Sequence, residues 1–263
     1  METSAAVDDS LTIGAGEGAR RIAILRRAGA TPGLFWLGGF RSVMGGTKAE
    51  TVDRWGAGRG LAVTRFDYSG CGRSGGRFED GTISRWLEEA AAVLATTSGD
   101  QIVIGSSMGG WLALLLAEAE RRRGGPSRIA GLILIAPAVD MTRTLMWDVM
   151  PKAARRDLAA NGIYLEPAAD GGEPVPITRL LVDDGDRHLF GDRLIEPGCP
   201  VHILQGMEDV EVPLRHATAL VERLASDDVV LTLVKDGNHR LSRPEDLERL
   251  TAAIGGMIAE AGG

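Results

Sequence analysis

The segment QIVIGSSMGGWLALLLAEAE carries Gly105-Ser106-Ser107-Met108-Gly109 between a short apolar strand pattern and an apolar helical run. A serine hydroxyl attacks a carbonyl carbon efficiently when it is raised on a sharp strand-to-helix turn, and G-x-S-x-G in that context is the pattern of such a turn. Side chains two positions either side of the serine would collide in so tight a bend, hence the glycines. The helix that follows directs its positive end and its free amides at the same point. The pattern alone is weak, because 36 glycines in the chain supply about 0.2 matches by chance. A second match, Gly72-Arg73-Ser74-Gly75-Gly76, is followed by RFEDGT and not by an apolar helix, so Ser74 reads as part of a turn. Ser106 has no glycine two residues before it. Ser107 is the candidate nucleophile.

Such a serine needs a general base, and the base needs an acid that fixes its tautomer and stabilises its cation. Of the four histidines, His188 falls in an irregular segment, His202 in a predicted buried strand and His216 on a predicted helix. His239, in DGNHR, follows the last predicted strand and is the candidate base. Two acids lie at predicted strand carboxyl ends, where open α/β sheets place their sites: Asp209 in LQGMEDVEVP, and Asp140. Asp209 is preferred, since Ser107, Asp209, His239 is the chain order of serine, acid and histidine in this class, with Asp140 as its substitute. Two backbone amides are expected to hold the oxyanion of the tetrahedral intermediate, that of Met108 after the nucleophile and that of Phe40 in Leu37-Gly38-Gly39-Phe40-Arg41. Trp111 and Met44 are candidates for contact with the substrate, and Trp36, Trp147 and the Phe40 side chain add apolar surface near the same place.

Positioning these residues requires a scaffold whose strand ends converge. Short apolar runs alternate with amphipathic segments, the pattern of a mostly parallel sheet flanked by helices. Strands are predicted at 21–27, 34–37, 61–67, 102–104, 129–136, 201–204 and 229–234. Helices are predicted at 47–56, 83–94, 111–122, 214–225 and 244–259, with Gly124, Gly125 and Pro126 stopping the third. Between Asp140 and Pro200 the alternation fails. One or two helices are expected in 141–161, followed by a Gly-, Pro- and Glu-rich stretch at 162–176. The expectation is one α/β domain over 1–263 with a lid inserted at about 141–199.

The 263 residues are 44% hydrophobic and 25% charged, an ordinary globular composition. A net charge of −7 disfavours the basic footprint that neutralises nucleic-acid phosphates. Cys71 and Cys199 show neither metal-site nor disulfide-framework spacing. No stretch reaches the roughly 18 apolar residues of a membrane span, and METSAAVDDS lacks the basic and apolar regions of a signal peptide. A cytoplasmic location, no metal, no nucleic acid and a small-molecule or acylated substrate are the expectations, with no oligomer signature.

In order, LGGFRSVMGGTKA, RFDYSGCGRSGG, GSSMGGW, LQGMEDVEVP and DGNHR resemble the branch of the α/β-hydrolase superfamily that holds the mitochondrial acyl-glucuronide esterase and protein depalmitoylase, over roughly 21–259. Gly38 departs from the many superfamily members that carry histidine there. The resemblance implies an α/β-hydrolase fold with a small helical lid, a Ser107, Asp209, His239 triad, no metal or organic cofactor, and acyl ester or thioester substrates. A peptidase, a C–C bond hydrolase or a perhydrolase could run on the same triad, and a binding protein could retain the fold without turnover.

Overall fold

The computed structural model describes residues 5–167, 172–225 and 228–261. Its centre is an eight-stranded sheet. In chain order the strands are β1 (Val7–Ile13), β2 (Arg20–Arg27), β3 (Ala30–Leu37), β4 (Leu61–Phe66), β5 (Gln101–Ser106), β6 (Ile129–Ile135), β9 (Val201–Gly206) and β10 (Val229–Val234). A separate hairpin supplies β7 (Ile163–Glu166) and β8 (Val175–Thr178). The spatial order is β1-β2-β4-β3-β5-β6-β9-β10, with β1 to β2 and β2 to β4 antiparallel and every later pair parallel. Parallel pairing brings the carboxyl ends of β3, β5, β6, β9 and β10 to one edge, the end where such sheets hold ligands.

The core follows from the period of two along each strand. Phe35 and Leu37, Val103, Leu132 and Leu134, and Ile203 face one apolar layer; Leu34 and Trp36, Ile102 and Ile104, Ile133 and Ile135, and Leu204 face the other. The first layer is closed by α2 (Ile83–Ala95), α3 (Met108–Arg122) and α6 (Leu214–Arg223), the second by α1 (Thr47–Ala57) and α7 (Pro244–Ala261). Both faces of the central strands are thus dry, which is why they read as unbroken apolar runs. Thr82 caps α2 by accepting the Arg85 amide at 3.1 Å.

The region after β6 holds a π-helical turn (Thr142–Trp147), α4 (Lys152–Asn161), the β7–β8 hairpin and α5 (Arg179–Gly185). Gly162, at φ 74°, ends α4 in the left-handed conformation, and Met150, Ala154, Leu158, Ile177 and Val182 form a small core of their own. Asp184 fixes this unit to α2, accepting the Ser84 amide and hydroxyl at 2.8 Å each.

Strands and helices occur where the sequence predicts them, most of them longer by a few residues. The sequence pattern does not mark β1, the β7–β8 hairpin that begins in the Gly- and Pro-rich stretch, or α5. Residues 168–171 of that stretch lie outside the described residues.

Candidate active site

Ser107 lies between β5 and α3 with φ 55° and ψ −118°, a conformation that costs a non-glycine residue about 1–3 kcal/mol. Neighbouring bonds hold it there: the Ser107 amide donates to the Ile135 carbonyl at 2.8 Å, and its own carbonyl accepts the amides of Gly110 at 2.8 Å and Ala138 at 3.1 Å. The two glycines are forced by contact. A Cβ on Gly105 would stand 2.3 Å from the Gly109 carbonyl oxygen, and one on Gly109 would stand 2.1 Å from that of Leu37.

His239 reaches this serine from the loop after β10. Its Nε2 is 3.1 Å from Ser107 Oγ and its Nδ1 is 2.8 Å from Asp209 Oδ2. A carboxylate only accepts, so in the neutral ring Nδ1–H donates to Asp209 and Nε2 is left to accept the serine proton. The Asp209 side chain is fully buried. Its Oδ1 accepts the amides of Glu211 at 2.9 Å and Val212 at 2.8 Å, and Gln205 Nε2 donates to Oδ2 at 3.3 Å. These donors hold the carboxylate toward the ring. Glu211 stands 3.7 Å from Nε2 and is two-thirds exposed, beyond hydrogen-bond reach.

The structure does not bring Asp140 into this chain of bonds. Its two carboxylate oxygens accept the amides of Phe190 at 2.8 Å and Gly191 at 3.0 Å, with the Arg223 guanidinium at 3.7 Å. They close the end of the inserted segment. Ser74 is likewise committed elsewhere, donating to the Asp67 carbonyl at 2.5 Å and accepting the Ala23 amide at 2.8 Å. His188 faces Ser84 and His202 faces Thr232; burial lowers the pKa of both, and of His216.

The loop after β3 lies against the serine. A Cβ on Gly39 would meet the Ser106 carbonyl oxygen at 3.2 Å and Ser107 Cβ at 3.3 Å. Among the described residues the amides of Phe40 and Met108 donate to no protein acceptor. The Phe40 ring packs on Phe78 and Trp86, with centroids 5.0 and 6.0 Å away. The substrate-contact expectation fails for the other two side chains. Trp111 is wholly buried in the apolar layer that α3 closes, and Met44 is 2% exposed, so neither lines the cleft above Ser107.

That cleft measures about 980 Å³. Leu145 and Met146 from the π-helical turn, Val149 just after it, and Val210 and Val212 from beyond β9 give it an apolar side. Arg41, Lys48, Arg215 and Arg240 face it against Glu166 and Glu211. Sequence reasoning passed over three supports. Asp67 and Arg65 hold the backbone of Met44, Gln205 braces Asp209, and Lys48 donates to the Arg240 carbonyl. The motif FDYSG is the visible signal for the first, and the second lies four residues apart within LQGMED; the third joins residues 192 apart.

Three comparisons bear on this site. The family profile described as Hydrolase_4: Serine aminopeptidase, S33 matches residues 41–165, which include Ser107 but neither Asp209 nor His239. The mitochondrial palmitoyl-protein thioesterase ABHD10 of Bos taurus is 31% identical over 239 residues, 90% of this chain and 76% of that protein. Among solved structures, a putative hydrolase from Agrobacterium vitis S4 superposes with TM-score 0.92 at 49% identity, covering 96% of this chain and 99% of the other. Alpha/beta hydrolase domain-containing protein 10 from mouse gives 0.84 at 30%, also covering 96% and 99%.

Proposed function

Because the chain belongs to the α/β-hydrolase family of the palmitoyl-protein thioesterase ABHD10, we propose that it hydrolyses carboxylic esters or thioesters through an acyl-enzyme on Ser107. The observation that carries this reading is the unbroken hydrogen-bond chain from Asp209 through His239 to a serine on a strained elbow.

In the first step Ser107 Oγ attacks the carbonyl carbon while His239 Nε2 takes its proton. The resulting imidazolium is stabilised by Asp209, and the negative oxygen by the free amides of Phe40 and Met108, each worth about 3 kcal/mol at such sites. Collapse expels the thiol or alcohol, which takes the proton back from His239. Water then attacks the acyl-enzyme with His239 again as base, releasing the acid. No step calls on a metal or organic cofactor.

The apolar side of the cleft suits an acyl chain, so the substrate is an acylated small molecule or an acylated side chain. The segment 141–199 serves as a cap on a single domain, closing the apolar side with Leu145, Met146 and Val149. Among the described residues no helix is long and apolar enough to cross a membrane, and both cysteines are free thiols. A cytoplasmic location is the reading we attach to those thiols; the ABHD10 relatives are named mitochondrial.

A panel of acyl thioesters, carboxylic esters and peptide amides of graded chain length tests the assignment. Turnover of esters or thioesters with preference for an apolar acyl group is expected. Turnover of amides alone would establish a peptidase, and binding of acyl compounds without turnover a non-catalytic protein.

A further inference from the structure

Lys48 is placed where a cation is least welcome. It is among the first residues of α1, beside the positive end of the helix dipole. It is also half-buried, and burial pushes its amine down to about 8, aided by the neighbouring Arg240 guanidinium and opposed by the carboxylates of Asp246, Asp209 and Glu211. Those groups come from the loop after β10, from α7 and from the segment after β9. Against these costs Lys48 makes one bond that spans the site: its Nζ donates to the carbonyl of Arg240, the residue after His239.

The loop carrying His239 has other supports, none of them from α1. The Gly237 amide donates to the Val234 carbonyl at 3.0 Å, the Arg240 amide donates to Asn238 Oδ1 at 3.0 Å, and Ser242 Oγ donates to the Arg240 carbonyl at 2.8 Å. These bonds lie within the loop or run to its own strand, and the Gly237 carbonyl accepting the Glu208 amide at 2.9 Å together with His239 Nδ1 on Asp209 tie the loop to the segment after β9. They hold the loop from that side of the site. Lys48 reaches across from α1, and the loop before α1 lies against Ser107 through Gly39.

We propose that Lys48 is a positioning residue, whose ammonium holds the Arg240 carbonyl and so keeps His239 within reach of Ser107. This rests on the triad reading above. A charged donor makes roughly twice the bond of a neutral one, so loss of the Lys48 proton loosens the loop. The sign follows directly: Lys48 is charged and the loop is held at neutral pH, and the support weakens as pH rises through about 8. Since Lys48 acts through His239, kcat carries the effect and KM changes little.

The test uses the full chain and a neutral fluorophosphonate, whose fluoride leaving group does not titrate over the range. The labelling rate is followed from pH 6 to 10.5 for wild type, Lys48→Met and Lys48→Arg, with kcat and KM for a neutral ester alongside. In wild type the rate is expected to fall with a midpoint near pH 8. Lys48→Met should lose about tenfold in rate and in kcat at pH 7 with KM within about twofold, the scale on which small misplacements of catalytic groups act. Lys48→Arg, which keeps its charge, should retain most of the neutral rate and lose the decline near pH 8. Labelling of Lys48→Met at the wild-type rate, or a decline near pH 8 that persists in Lys48→Arg, overturns the proposal. If Lys48→Met does not fold, the profile of Lys48→Arg against wild type decides. A wild-type chain that takes no label would instead contradict the triad reading itself.

Discussion

Asp67 Oδ1 accepts the backbone amide of Met44 at 2.6 Å, so the end of β4 grips the loop that presents Phe40. Arg65, two residues earlier, donates to the Met44 carbonyl at 2.7 Å, and the second Asp67 oxygen accepts the Arg73 amide at 2.8 Å. One carboxylate thereby joins the loop after β3 to the glycine-rich turn after β4. The turn is fitted to it: a Cβ on Gly72 would fall 2.2 Å from Asp67 Oδ2.

Asp67→Ala leaves the buried Met44 amide without its acceptor, at about 1–3 kcal/mol, and releases the more exposed Arg73 amide to water. It also frees the far end of the Phe40 loop. A lower thermal midpoint and a fall in kcat of at least about tenfold are expected, because the amide facing the oxyanion loses its fixed position. Thermal unfolding and steady-state kinetics on the same preparation check this. Unchanged kcat in a folded variant would separate the Asp67 clamp from the oxyanion loop.

The two candidate acids are distinguished by their partners. Asp209→Asn keeps the shape but not the charge or the acceptor for His239 Nδ1–H, and kcat is expected to fall about 10⁴-fold. Asp140→Asn removes one of two acceptors for Phe190 and Gly191. It is expected to lower stability by about 1–3 kcal/mol while kcat stays near wild type. Denaturant unfolding paired with kinetics of both variants reads the two effects separately. The reverse pattern would make Asp140 the acid.

Strain at the elbow has its own signature. Replacing Ser107 by glycine removes the nucleophile and the steric cost of φ 55° together. Relief of about 1–3 kcal/mol, less the entropy that glycine adds to the unfolded chain, leaves a gain of about 1 kcal/mol. Ser107→Gly should therefore unfold about 2–4 °C higher than Ser107→Ala. Equal midpoints in a calorimetric scan would show that the elbow stores no strain.

Much of this architecture is legible in sequence because local physics forces it. The glycines of the elbow are required by carbonyls 2.3 and 2.1 Å from where their side chains would stand, and β5 and β6 read as apolar runs because both faces are covered. The missed elements lack such local cause. β1 is an edge strand of sequence VDDSLTI, largely exposed and held by its ladder to β2, so it has no apolar stripe to display. The β7–β8 strands are four residues each and find their register only against one another. Trp111 and Met44 lie near Ser107 and Phe40 in sequence, which points them toward the substrate, whereas Trp111 is wholly covered within the core and the Asp67 and Arg65 bonds hold the buried Met44 by its backbone. The roles of Asp67 and Lys48 rest on partners 23 and 192 residues away. No window along the chain displays such pairs.

The most direct measurement of the central reading is fluorophosphonate labelling of the intact chain, with the modified peptide located by mass spectrometry and ester turnover followed in parallel. The expected result is one adduct, on Ser107, with labelling and turnover both lost in a folded Ser107→Ala variant. An adduct on Ser74 or Ser106, or ester hydrolysis that survives Ser107→Ala, would contradict it.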